Sequence, residues 1–254
     1  MPPDPNDDLS TRSVLVPDCD ALAWARGERW LPDPLIATVA EARTFIDRLG
    51  FAVLFPAERV TVPSLWEAVA GPDETPFAAG MGQAEERVWA WKDELPRTGA
   101  AWYGKFIHKR ASLLSPELLT ALYPGAGEPT DHAGLDLPDH AHHIAEALLT
   151  GPLPTAALRD VVGDRSRYDR AMSALQRHLL VTSAGVQAHR TGWPATVVDL
   201  TCRLFDVGGG PDHGYATARF ADTMIETTPT ELARAFGWST GTARQRLAAL
   251  HPPR

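Results

Sequence analysis

The stretch "HLLVTSAGVQAHRTGWPATVVDLTCRLF", residues 178–205, is where the fold becomes readable. β-Branched side chains gather in it at Val181, Thr182, Val186, Thr196, Val197, Val198 and Thr201, and turn signals fall at Gly185 and at 192–194. Such side chains suit a pleated, half-buried surface, so the stretch reads as a small hairpin. Upstream of it, helical apolar spacing covers 139–149, then 155–162 with a cap near Thr155 and a stop at Gly163, then 166–179. Three helices followed by a hairpin is the order of a winged helix. In that order the third helix presents Arg165, Arg167, Arg170 and Arg177, with Ser166, Ser173 and Gln176, to a groove, while Tyr168, Ala171, Leu175 and Leu179 face inward. The alternative is a solvated arginine face on a helix that only packs.

Downstream, "TPTELARAFGWSTGTARQRLAAL" occupies 228–250. Thr228 or Thr230 can cap a helix, Pro229 suits its first turn, and Leu232, Ala233 and Phe236 recur on one face. Gly237 supplies a left-handed stop, Ser239 and Thr240 offer a second cap, and Ala243, Leu247 and Leu250 form another stripe. Two helices joined by a short bend at a glycine make a helix-turn-helix, which leaves Thr240, Thr242, Arg244 and Gln245 for phosphates or base edges. A helical hairpin that only packs is the competing reading.

The N-terminal half carries a similar unit. An amphipathic helix covers 39–49 and ends at Gly50, "FAVLFPAERVTVP" (51–63) is strand-like up to Pro56, and a short helix covers 64–69. The spacing predicts a helix pair over 85–91 and 102–114, with Trp89, Trp91, Trp102 and Tyr103 mostly in a core and Lys105, Lys109 and Arg110 outside. "SPELLTALYPG" (115–125) closes with a further capped helix. The expected organisation is an acidic, proline-rich arm at 1–37, a winged-helix-like unit at 38–125, a linker at 126–138, a winged-helix unit at 139–206 and a helix-turn-helix unit at 207–254. The fold class is therefore mainly α with small β-hairpin wings, built from tandem winged-helix and helix-turn-helix units.

Charge and composition restrict the function classes. The chain has 254 residues, a formal net charge of -8 and 44% hydrophobic residues, enough for sizeable cores. Only Lys92, Lys105 and Lys109 among its 24 basic residues are lysines, a usage that says little about nucleic acid. The distribution says more, because the first twenty residues hold Asp4, Asp7, Asp8, Asp18 and Asp20 against Arg12. Residues 87–110 hold six basic side chains against two acidic ones, and residues 159–190 hold six arginines against three aspartates. Locally basic faces can bind phosphate on an acidic protein. No apolar run has the length of a membrane span and no export signal opens the chain, so a cytoplasmic location without membrane partners is expected. Cys19 and Cys202 lack metal-like spacing, "DHAHH" (139–143) lacks the two-histidine zinc-helix pattern, and "VGGGP" (207–211) lacks phosphate-loop residues, so no metal or cofactor is expected.

Two stretches, "FAVLFPAERVTVPSLWEAVAG" (51–71) and "WYGKFIHKRASLLSPELLTALYP" (102–124), followed by the helical unit with its hairpin and the terminal helix-turn-helix, resemble the bacterial crosslink-repair DNA glycosylase family and its shorter glycosylase-related branch. The resemblance covers 38–250. It implies a tandem winged-helix scaffold on duplex DNA, with active members hydrolysing the N-glycosidic bond of alkylated or crosslinked purines and continuing into a further β-rich domain. In those members a glutamine, an apolar residue, then glutamine or aspartate position the water. Here the two polar positions fall at Val53 and Phe55, which can neither orient water nor stabilise a cation. Glu58, Glu67 and Arg59 are the nearest polar groups, and Glu58 and Glu67 are the candidates for a substitute carboxylate. The expectation is a DNA-binding relative of alkylation and crosslink repair glycosylases, its partner duplex DNA, damaged or intact. The alternatives are a winged-helix transcriptional regulator and an interaction module that does not touch DNA.

Overall fold

The computed structural model describes residues 19–56, 60–188 and 194–250. Helix α1 (Cys19–Arg29) runs into Trp30, which is buried, and a short segment through buried Ile36 leads to α2 (Val39–Leu49). A capping box starts α2: the Thr38 hydroxyl accepts from the Glu41 N–H, and the Glu41 carboxylate accepts from the Thr38 N–H. Ala42, Phe45, Ile46 and Leu49 follow the helical repeat and all point inward. Then come β1 (Phe51–Val53), α3 (Leu65–Ala70) capped by Ser64, α4 (Gln83–Arg97), β2 (Trp102–Lys105), β3 (Ala111–Leu114) and α5 (Pro116–Leu122) capped by Ser115. The three strands form an antiparallel sheet in the order β1-β3-β2.

The helix expected over 102–114 is instead a β-hairpin. Burial along β2 alternates from Trp102 through Tyr103 and Gly104 to Lys105, a period of two that its aromatic content overshadows in the sequence. The Trp102 ring lies over Gly104, where a Cβ would collide with it. His108 and Lys109 adopt positive φ of 49° and 60°, closing a turn that no helix could contain. The preceding helix is longer than 85–91, because Val88, Trp91 and Leu95 continue one buried face to the end of α4.

The second unit comprises α6 (Asp139–Leu148), β4 (Leu153–Pro154), α7 (Thr155–Val162), α8 (Arg165–Arg177), β5 (Val181–Gln187) and β6 (Ala195–Leu200). Three helices and the hairpin appear in the expected order, and β4 adds a third strand to give β4-β6-β5. The chain ends with α9 (Thr201–Leu204), α10 (His213–Thr223), α11 (Pro229–Phe236) and α12 (Thr240–Leu250). The last two are the expected helix pair, with the Thr228–Glu231 capping box and Gly237 in the left-handed conformation at φ 71°. Helix α10 has no counterpart in the sequence reading. The architecture is mainly helical with two small antiparallel sheets, as expected.

One apolar cluster runs from Phe51 and Trp102 through Leu119, Ile144 and Leu175 to Phe220 and Phe236, so the first sheet, the second unit and the terminal helices share a core. A second gathers Trp30, Phe45, Ile46, Trp66 and Trp91. Polar contacts tie the same junctions. The Thr182 hydroxyl donates to the Tyr103 carbonyl and accepts from the Tyr103 N–H, and Gln176 accepts from the Lys105 N–H, so edge strand β2 is satisfied by side chains from the second unit. From α10, Arg219 donates to the Asp47 carbonyl and Thr223 to the Leu49 carbonyl, while the Trp30 indole donates to the Thr223 carbonyl at 2.7 Å. Within the segment read as an acidic arm, residues 30–36 are thus anchored by Trp30 and Ile36, and residues 1–18 lie outside the described residues. Among the described residues, no helix is long and apolar enough to cross a membrane.

Candidate nucleic-acid interface

The tip of the β2–β3 hairpin is built to hold cations outward. Ile107 is buried and its N–H donates to the Ser112 hydroxyl, which in turn donates to the Arg110 carbonyl at 2.7 Å. The Lys109 N–H donates to the Phe106 carbonyl and the Arg110 N–H to the Ile107 carbonyl. With the backbone fixed in this way, Lys109 and Arg110 leave the tip side by side. A chain of aromatic contacts from Trp102 through Phe106 and Phe236 to Trp238 seats the hairpin against α11.

Opposite the tip, the start of α11, the Gly237 bend and the end of α8 complete a cleft of about 680 Å³. Lys109, Arg110, Arg177, Arg234 and Thr240 line it, with His108 and Trp238 among its walls. The Arg177 guanidinium packs on the Gly237 bend, in the space any side chain there would need. Among the described residues, none of these four cations has a carboxylate within ion-pair distance. Among the described residues, Glu231 is the acidic group in the wall, and its carboxylate is engaged by the Thr228 N–H and hydroxyl. Burial holds the His108 pKa below its ordinary value, with Arg234 and Arg110 acting in the same direction against Glu231. The arrangement is a concave cationic surface, without ion pairs among the described residues and suited to consecutive phosphates.

The remaining sequence candidates divide around this cleft. Arg165 and Arg170 continue from Arg177 along the exposed face of α8, where Arg165 meets Asp169 at 3.9 Å. Arg167 emerges on another side, near Pro138, Asp139 and His140. Gln176, expected in the groove, serves β2 instead, and Ser173 donates to the Asp169 carbonyl. Lys105 is exposed at the end of β2. On α12, Arg244 and Gln245 are exposed, whereas the Thr242 hydroxyl is bonded to Ser239 within the helix cap. Sequence reasoning missed Arg234, His108 and Trp238; Arg234 lies on the face of α11 opposite its apolar stripe, where it could have been noticed. It missed Arg246 as well, which stacks on the Trp238 ring at 3.7 Å.

The basic stretch 87–110 does not act as one patch. Lys92 and Asp93 are buried and paired at 2.6 Å; Lys92 also faces the rings of Trp89 and Tyr103, and Asp93 accepts from the Ser183 hydroxyl of β5. Burial, with the Asp93 charge adding to it, pushes the Tyr103 hydroxyl up to about 12.

Of the two candidate carboxylates, Glu67 is buried in α3 and paired with Arg26, with burial raising its pKa against the opposing effect of that arginine. It does not line the cleft. Glu58, like Arg59, lies outside the described residues. Val53 is fully enclosed in the sheet, donating its N–H to the Pro63 carbonyl, and Phe55 packs on Phe77. Both positions therefore carry packing. Among the described residues, no three or more His, Cys, Asp or Glu side chains converge to hold a metal.

Residues 36–231 match the model of a family described as AlkZ related. The chain belongs to the AlkZ-related family. The resemblance carried by 51–71 and 102–124 is thus borne out at family level. Among solved structures, the Streptomyces sahachiroi DNA glycosylase AlkZ matches this AlkZ-related chain with a TM-score of 0.50 at 15% identity, a likeness of fold. The match covers 91% of the AlkZ-related chain but 64% of the glycosylase. No curated protein matches it.

Proposed function

We propose that this AlkZ-related protein binds duplex DNA, damaged or intact, through its cationic cleft, and that it does so without hydrolysing the N-glycosidic bond. The observation that carries the reading is the convergence of Lys109, Arg110, Arg177 and Arg234 from three separate elements on one cleft, with no ion-pair partners among the described residues. In this reading the two units with small sheets act as winged helices, Arg165, Arg170 and Lys105 extend the phosphate-binding track, and Arg167 lies off it. Thr240, Arg244 and Gln245 approach the groove, and the site of action is the bacterial cytoplasm.

Loss of chemistry is argued from Val53 and Phe55. Hydrolysis of an N-glycosidic bond passes through an oxocarbenium-like sugar, which needs a nearby polar group to orient water or offset positive charge. A buried valine and a phenylalanine packed on a second phenylalanine supply neither. Of the two candidate carboxylates, the one among the described residues, Glu67, is held by Arg26 and is no substitute.

The test is binding to undamaged and N7-alkylated duplexes across a salt series, with free base release followed in the same tubes. Affinity that falls steeply with salt and no release above the spontaneous rate is the expected result. Release above that rate would overturn the non-catalytic part, and salt-independent or absent binding would overturn the DNA-binding part. A regulator is a second reading, favoured by the exposed Thr240, Arg244 and Gln245 on α12, and it predicts a preferred sequence among undamaged duplexes.

A further inference from the structure

The tip of the β2–β3 hairpin holds two consecutive non-glycine residues, His108 and Lys109, at positive φ. Such residues enter that region rarely, and they stay in it only where the surroundings over-determine the backbone. Here the buried Ile107 and the N–H bonds of Ile107, Lys109 and Arg110 fix the turn. Along a plain strand neighbouring side chains would part to opposite faces. At this turn His108, Lys109 and Arg110 all line the same cleft.

Among the described residues that line the cleft, His108 is the one whose charge changes near neutral pH. Its ring is half-buried. The charged groups around it are Lys109 and Arg110 from its own hairpin, Glu231 and Arg234 from α11, and Arg177 from the end of α8. Val60, Thr61, Met224 and Thr230 complete that side without charge, and Glu58 and Arg59 lie outside the described residues. Four cations thus stand against one carboxylate, whose oxygen is already engaged in the Thr228 cap. In the empty cleft, burial and then the Arg234 and Arg110 charges oppose protonation of the ring, with Glu231 acting the other way. A phosphate reverses that balance. It brings negative charge among the cations, and an imidazolium donates charge-assisted hydrogen bonds to its oxygens.

We propose that the His108 ring takes up a proton from solvent when a phosphate enters the cleft, so that DNA binding is coupled to proton uptake and strengthens in mildly acidic solution. This rests on the DNA-binding reading above and assigns regulation to the same site. The coupling is reciprocal: DNA favours the charged ring by the factor by which the charged ring favours DNA. In the free protein burial keeps the ring's pKa below about 6.5, and in the complex it lies higher. Affinity is therefore level above the bound value, climbs as pH falls through the two values and levels again below the free one. One ring binds one proton, so affinity rises at most about tenfold for each pH unit.

The full chain would be titrated into one undamaged, fluorescently labelled duplex at fixed ionic strength, from about pH 8 to about pH 5.5. Calorimetry in buffers of different ionisation enthalpy would count the protons bound. The expected result is affinity about tenfold higher at the acid end, with net proton uptake in between. His108→Asn, whose short amide tolerates the positive φ and does not titrate, should lose the pH dependence and the proton uptake while keeping the affinity seen at the alkaline end. His108→Arg, charged throughout, should bind at the alkaline end as tightly as the unsubstituted protein does at the acid end. Affinity that does not change with pH, binding without proton uptake, or a pH dependence that survives both substitutions overturns the inference alone. Failure to bind at any pH overturns the DNA-binding reading together with it.

Discussion

The basic stretch 87–110 meets two opposite fates, one on helix α4 and one at the tip of the β2–β3 hairpin. Near its start, Lys92 is enclosed with Asp93, Ser183 and two aromatic rings, where the first sheet meets the second. At its end, Lys109 and Arg110 stand in an open cleft with no carboxylate partner among the described residues. In the first case the charge is neutralised and excluded from water, so removing one partner leaves the other buried and uncompensated. In the second the charges are solvated, contribute little to folding and remain available to an anion. The same residue type therefore serves cohesion in one place and attraction in the other.

The contrast is broken most directly by Lys92→Ala, which strands Asp93. A loss of about 3–5 kcal/mol in unfolding free energy is expected, read by denaturant titration. Whatever protein remains folded should keep its salt-dependent DNA affinity. A loss under about 1 kcal/mol would show that the pair is not a structural element of the junction.

The Tyr103 hydroxyl, beside that pair, sharpens the contrast through alkaline pH. Its folded pKa of about 12 lies above the ordinary value of 10, so the folded state retains a proton that the unfolded chain has lost. The stability it contributes is complete below pH 10 and is lost as pH rises towards 12. Unfolding free energies measured across that range, in the protein and in Tyr103→Phe, should diverge, with the phenylalanine variant losing less.

At the cleft the expectation reverses. Arg177→Ala, Arg234→Ala or Lys109→Ala should change stability by no more than about 0.5 kcal/mol. Each should lower the slope of log affinity against log salt by about 0.9 for every phosphate contact removed. An unchanged slope in all three would remove the cleft from the interface.

The smallest effect is expected at His108. Burial lowers its folded pKa, so the contribution of its neutral ring is present above about pH 6.5 and is lost as pH falls through the folded value. Replacement by glutamine should make stability between pH 7 and 5 slightly less acid-sensitive, as followed by thermal unfolding.

How much of this was legible depends on how local the cause is. The terminal helix pair was written in adjacent residues: Thr228 for the cap, Gly237 for the bend, Leu232 and Phe236 for the buried face. The second unit was readable for the same reason, through Gly163 and the β-branched run of its hairpin, whereas Asp164, which caps the third helix, was not read. The 102–114 hairpin was misread because tryptophan and tyrosine suit either a helical core or a strand, and the positive φ of His108 and Lys109 has no glycine to announce it. In the cleft, Lys109, Arg110, Arg177 and Thr240 were each recognised singly, but their convergence depends on the aromatic chain from Trp102 to Trp238, a tertiary fact. Lys92 was counted with the surface because nothing in its neighbourhood of sequence shows that Ser183 will close over it.

The hydroxyl of Thr182 satisfies both the N–H and the carbonyl of Tyr103 on the edge of the first sheet, across 79 positions of chain. During synthesis that edge is made long before its cover. At roughly 5–20 residues per second, the ribosome needs about 4–16 s to travel from Tyr103 to Thr182. Through that interval a nascent chain carries an open strand edge beside Trp102, a template for pairing with its neighbours on the same message. Slowing translation between those two codons is therefore expected to lower the yield of native protein, as measured by the soluble fraction on expression.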